Sequence, residues 1–289
     1  MNKIIATVLL AVISIPVFSQ PVTEIYLFDL TAKGKKLTIS KPRNITNHKG
    51  YDNQPFFHTD YPVLYYASAD EEGRTNIKEY NYKSTQTRQL TLTSDREYSP
   101  RLTEDKQFLS CILQRDNGAQ DLVKYPVNSG PAQIIVDNMI VGYHAWGDEN
   151  NVVVFTLPQP FKLHLLNIKT GRDTVVAEQI GRSLHKIPGK NAVSFIQKIS
   201  DDQWMINSLD INTRKITGIV KSLPGKEHDM TWTPDGKIIM SDEKKIFFLD
   251  PKKSTVWTEI KIKSNTPLNT ITRLAVSPDG KLLAVVVNE

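Results

Sequence analysis

Four histidines, His58, His144, His185 and His228, fall in or just ahead of short polar turns that recur along the chain. Imidazole ligates divalent transition metals and titrates near neutrality, so a ring of such groups would hold a divalent metal or the carboxylate of a substrate. No His-x-x-x-His spacing and no fixed carboxylate accompanies them, so such a site would draw its ligands from separate loops. The plainer expectation is a set of polar strand-end residues hydrogen-bonded to backbone. No cofactor is expected on that reading; a divalent metal belongs to the alternative.

Other chemistry is weaker still. Gly181-Arg-Ser183-Leu-His185 lacks the final glycine of the Gly-x-Ser-x-Gly turn that presents a hydrolase nucleophile. The single cysteine, Cys111, lies in the apolar run Phe108-Leu-Ser-Cys-Ile-Leu113 and reads as a small buried hydrophobe, with no disulfide available to it. The acidic groups Asp70-Glu-Glu72, Asp148-Glu149 and Asp201-Asp202 lack the alternating oxygen ligands and glycine of a calcium loop and read as solvated turns. The aromatics Tyr51, Phe56, Phe57 and Tyr143 cluster ahead of the same turns as Trp146 and Trp232. They would form a rim for a peptide or sugar, or fill the space between neighbouring sheets. Packing is favoured for Trp146 and Trp232, which recur at one repeat position.

The elements that must place these residues repeat. Near the C-terminus the chain reads Leu274-Ala-Val-Ser-Pro278-Asp279-Gly280-Lys-Leu-Leu-Ala; 44 residues earlier it reads Met230-Thr-Trp-Thr-Pro234-Asp235-Gly236-Lys-Ile-Ile-Met240. Each copy is a strand, a tight turn and an apolar strand. Weaker copies of the turn stand at His58-Thr-Asp60, Thr103-Glu-Asp105, Gly147-Asp-Glu149 and Pro188-Gly189, giving steps of 44, 44, 41, 46 and 44 residues. Alternating strands joined by polar turns follow each copy, as in Leu163–Ile168 and Trp204–Ile211. A repeat of this length made only of strands is the signature of a propeller blade. The expected fold is all-β: a six-bladed β-propeller with four antiparallel strands per blade. The last copy stops after its second strand, and Glu24–Leu30 with Lys36–Ser40 supply the missing hairpin, so N-terminal strands close the last blade and remove its open edges.

On the Pro-Asp-Gly turns at 234–236 and 278–280, the chain resembles the WD40-like (PD40) repeats of TolB-like six-bladed propellers. That resemblance implies a periplasmic protein that acts through protein contacts in the cell envelope. Relatives with such repeats carry peptidoglycan-binding, helical-repeat or peptidase domains, and no such domain is read here. The turn itself is a folding element and carries no activity.

Asn2-Lys3, the apolar run Ile4–Val17 and small residues at Val17 and Ser19 read as a cleaved signal peptide over 1–19, leaving a single propeller domain over 20–289. The run is too short for a comfortable span, so no stable membrane span is expected. The charge of +5 is spread along the chain, which argues against nucleic acid. The leading expectation is a monomeric, non-catalytic interaction platform in the periplasm or outside the cell, with an envelope protein as partner. The alternatives are a channel-site enzyme or binder for acidic oligosaccharides, using the histidines and a metal, and a sugar-binding accessory protein using the aromatic rim.

Overall fold

The Pro-Asp-Gly turns set the first hairpin of two blades by the same bonds. The hydroxyls of Thr233 and Ser277 donate to the carboxylates of Asp235 and Asp279 at 2.5 and 2.6 Å, and the N–H groups of Gly236 and Gly280 return to the carbonyls of Thr233 and Ser277 at 2.9 Å. The closing residue needs a left-handed backbone, with φ of +86° at Gly236 and +69° at Gly280, which glycine adopts without strain. Blade 2 builds the same turn from a different sentence. Thr103 donates to Asp105 at 2.6 Å, the N–H of Lys106 bonds the Thr103 carbonyl at 2.9 Å, and Lys106 takes the glycine's place at φ +59°.

The computed structural model describes residues 20–289 apart from Lys35, Ser129 and Pro267. The segment read as a signal peptide, 1–19, lies outside them. The strands form six sheets arranged as a propeller, and among the described residues there is no helix. The innermost strands are Asp52–Phe57, Arg96–Leu102, Ile140–Trp146, Ile180–Lys186, Met230–Trp232 and Ile271–Val276, for blades 1 to 6. Each touches the next, and the sixth touches the first, so the ring is closed. Three further antiparallel strands follow outward in each blade.

Blade 6 joins the two ends of the described chain. Its second strand, Leu282–Asn288, pairs with Thr23–Lys33 over the register Thr23↔Asn288 to Asp29↔Leu282, and Lys36–Asn44 completes the hairpin. A fifth strand, Lys261–Lys263, adds in parallel to Lys36–Asn44, which the sequence reading did not anticipate; Ile262 packs on the core there. The Glu24 carboxylate accepts the N–H groups of Asn47 at 2.6 Å and His48 at 2.9 Å, which ties the loop into blade 1 to the closing strand.

The core is six wedges between blades, one for each neighbouring pair. Strand alternation supplies both faces. In blade 4, Val193 and Phe195 pack toward blade 3, while Ala192 and Ile196 pack toward blade 5. Trp146 and Trp232 are buried in two of these wedges, as their recurrence implied. Each indole N–H donates to a serine on the preceding blade, Trp146 to Ser110 Oγ at 2.9 Å and Trp232 to Ser194 Oγ at 2.8 Å.

Candidate functional site

In each blade one residue directly follows the innermost strand and donates its N–H into the first hairpin: His58, Thr103, Gly147, Ile187, Thr233 and Ser277. Counting back from these residues gives the side chains that face the axis, because alternate residues of a strand share a face. Two residues back stand Phe56, Arg101, Ala145, His185, Thr231 and Ala275. Four back stand Gln54, Ser99, Tyr143, Ser183, Asp229 and Arg273. All of these but Ala145 line one cavity of about 110 Å³ in the channel. Toward the mouth it adjoins a wider recess of about 320 Å³ that includes Tyr51, Tyr98, Gln114, Gln120 and the exposed Arg182.

The four-back layer knits blades together. Gln54 Oε1 accepts the N–H of Ser99 at 2.7 Å, Ser183 Oγ accepts that of Met230 at 3.1 Å, and Asp229 Oδ2 accepts that of Leu274 at 3.0 Å. Arg273 reaches from blade 6 to blade 3, opposite it in the ring. Its Nη2 donates to the Tyr143 hydroxyl at 3.1 Å and its Nη1 to the Thr272 carbonyl at 2.9 Å. In the layer beneath, Arg101 donates Nη1 to its neighbour's carbonyl, Pro100 O, at 2.9 Å and lies 5.2 Å from the centre of the Phe56 ring.

Neither guanidinium forms an ion pair with a carboxylate among the described residues. A guanidinium carries five N–H donors, so most of those on Arg101 and Arg273 are available to the cavity. Burial lowers Arg101 to about 10, with Asp229 opposing the shift and Arg273 adding to it, which still leaves it charged at neutral pH. His185 Nε2 sits 3.1 Å from Ser183 Oγ; burial, reinforced by Arg101 and Arg273, pushes its pKa down to about 3, so it is neutral. Burial raises the Asp229 carboxyl, opposed by Arg273. Among the described residues, the cavity lining therefore holds Arg101, Arg273 and the exposed Arg182 against one carboxylate, Asp229.

The histidines stand in different surroundings, and one-residue offsets explain why. His185 is two residues before its hairpin residue and faces the cavity. His144 is three before and points into the wedge between blades, 2.7 Å from Ser110 Oγ, with burial lowering its pKa to about 3. His58 caps the hairpin itself, its Nδ1 accepting the N–H groups of Asp60 at 2.9 Å and Tyr61 at 3.2 Å. His228 lies 3.3 Å from the Pro224 carbonyl, in a side recess with Glu227 and Glu243. Among the described residues no group of three or more His, Cys, Asp or Glu side chains stands together as a metal cage.

Of the aromatic rim candidates, Tyr143 and Phe56 line the cavity, Tyr51 lines the mouth edge-on to Tyr98 at 6.2 Å, and Phe57 packs chiefly in the wedge between blades 6 and 1. Sequence reasoning missed Arg101, Arg273, Asp229 and Gln54. The signal was available: these residues stand two or four places before the residue that enters each first hairpin, which lies in the turn landmark or immediately before it.

No protein-family model and no curated protein sequence matches the chain. Among solved structures it is similar to a putative TolB from Agrobacterium tumefaciens, with TM-score 0.71 and 13% identity, over 93% of this chain and 99% of that one. It is also similar to TolB from Acinetobacter baumannii, with TM-score 0.59 and 11% identity, over 93% of this chain and 64% of that one. An oligogalacturonate lyase in complex with manganese matches with TM-score 0.60 and 14% identity, over 88% of this chain and 83% of that one. At these identities the likeness is one of fold: a TolB-like six-bladed propeller.

Proposed function

We propose that this chain is a non-catalytic binding propeller of the cell envelope that engages a protein partner at the mouth of its channel. The observation that carries the reading is the ring itself. Six blades direct a polar and charged set into one cavity, and its Arg101 and Arg273 are bonded to neutral acceptors rather than paired directly with carboxylates. Natural proteins rarely leave buried charge unpaired unless something else binds it. Ser183 and His185 are neighbours in the cavity, but His185 is neutral beside two cations, with no carboxylate bonded to it to orient it as a base. The apolar N-terminal run supports export, and the propeller fold shared with the TolB structures agrees with a binding role.

The test is chemical crosslinking in the native host followed by capture of the tagged protein. A reproducible protein adduct that is lost with Arg182→Glu at the mouth and kept with Lys190→Glu at the opposite, hairpin end is the expected result. An adduct indifferent to Arg182→Glu would contradict the reading. A second reading, a binder of acidic oligosaccharides, draws on the same cation pair and on the fold shared with the lyase. It predicts capture of glycan rather than protein.

A further inference from the structure

We infer that Arg101 and Arg273 form a carboxylate-binding site at the bottom of the mouth, which takes the acidic tip of an extended polypeptide. This deepens the preceding proposal and rests on it for the partner being a protein.

Three observations lead to it. First, the two arginines come from blades 2 and 6, on either side of blade 1, and from different layers, yet line the same small cavity. Arg273 is bonded there to a neutral acceptor, the Tyr143 hydroxyl, and Arg101 only to a backbone carbonyl. A carboxylate is the stronger acceptor for a guanidinium, binds it through two parallel N–H···O bonds, and would replace the phenol on Arg273 while reaching Arg101. Second, one carboxylate, Asp229, lines the cavity among the described residues; its Oδ2 accepts the Leu274 N–H at 3.0 Å, and it makes no direct ion pair with either arginine, so two guanidinium charges stand against one carboxylate. Third, the inner space is small. The outer recess is about 320 Å³ and the adjoining cavity about 110 Å³, the share of roughly four water molecules.

That small volume selects the ligand. A carboxylate on a slender stem, at a chain terminus or an Asp or Glu side chain, fits the inner cavity while the rest of the chain lies in the mouth. A uronate carries its carboxylate directly on a ring, which would have to occupy the inner cavity itself. In the mouth Tyr51 and Tyr98 meet edge to face at 78° rather than stacking in parallel. It offers instead phenol and amide groups, at Tyr98, Gln114 and Gln120, suited to the donors and acceptors of a peptide backbone.

The experiment uses the folded protein with arginine side-chain N–H groups followed by NMR. N-acetylglycine serves as a peptide-terminus probe, N-acetylglycinamide as its neutral counterpart, and galacturonate as the ring acid, all against chloride at matched ionic strength. The expected result is saturable shifts of Arg101 and Arg273 signals with N-acetylglycine only, weakened at least tenfold by Arg101→Gln and by Arg273→Gln. Equal response to the amide or to chloride, or unchanged affinity in both variants, overturns the site. Saturable galacturonate binding without N-acetylglycine binding overturns the peptide assignment in favour of an acidic sugar. Should one variant fail to fold, the wild-type comparison of acid with amide still decides. Crosslinking in cells separates the two levels. An adduct that persists with Arg101→Gln keeps the platform and discards this site, whereas N-acetylglycine binding with no protein adduct keeps the site and discards the platform.

Discussion

Arg101→Met should make the protein more stable while removing its response to a carboxylate. The guanidinium is half-buried and has no carboxylate partner, and its pKa is lowered from 12.5 to about 10, chiefly by burial. Taken at face value that shift corresponds to about 3 kcal/mol of cost to the charged form, an upper bound because the side chain borders a water-accessible cavity. Against it stand the hydrogen bond to Pro100, about 1 kcal/mol, and the contact with the Phe56 ring, about 0.5–1 kcal/mol. Methionine keeps most of the stem's packing and removes the charge. The net gain is then about 1 kcal/mol, or a Tm rise of roughly 2–4 °C for a chain of this size. Urea unfolding with unchanged m-value measures it directly. Arg273→Met is the internal contrast. It strips the Tyr143 hydroxyl of its donor and Asp229 of its nearby cation, and should cost about 1–2 kcal/mol. A loss of 1 kcal/mol or more on Arg101→Met would refute the reasoning, because it would make Arg101 a structural residue and not one held in reserve for a ligand.

Other parts of the structure give sharper stability tests. Trp232→Phe removes the indole donor to Ser194 and opens space between blades 4 and 5; a loss of about 2 kcal/mol in urea unfolding is expected. Val285→Ala, at a fully buried position of the strand Leu282–Asn288 that pairs with the closing strand, should cost about 2–3 kcal/mol, and an effect below 0.5 kcal/mol would deny that blade 6 is tightly closed. The buried His144 has its pKa pushed down to about 3 against an ordinary 6.5. The unfolded chain therefore binds the proton first, and stability falls as pH drops from 6.5 toward 3. By pH 5.5 that contribution is about 1.4 kcal/mol. His144→Asn should reduce the stability lost between pH 7.5 and 5.5 by about that amount, and an unchanged pH dependence would show that His144 is already solvated.

The blades were legible because they rest on local chemistry. Pro-Asp-Gly, hydroxyl-to-carboxylate turns and alternating strands are written within a few residues of one another, and the period survives where the motif is lost, as at Thr103–Lys106. The closing strands were legible from the unpaired edge that the last copy leaves. The parallel strand Lys261–Lys263 was not, since one isoleucine between two lysines is too short to carry a strand pattern, and only the edge of Lys36–Asn44 gives it a partner. The channel was harder for a different reason. Which side chains face the axis depends on parity counted from the hairpin, and bulges in the innermost strands shift that count by one. His144 and His185 look equivalent in sequence, but one residue of offset sends the first into a wedge and the second into the cavity. Arginine, read as spread surface charge, hid the two cations that matter.

The central claim is that binding takes place at the mouth, and photo-crosslinking from single positions tests it most directly. A photoreactive residue at Gln120, in the mouth, and another at Lys190, at the hairpin end, would be compared in the native host. The account predicts a discrete protein adduct from Gln120, competed by Arg101→Gln, and none from Lys190. Adducts from Lys190 alone would place the working surface on the other face of the ring and contradict it.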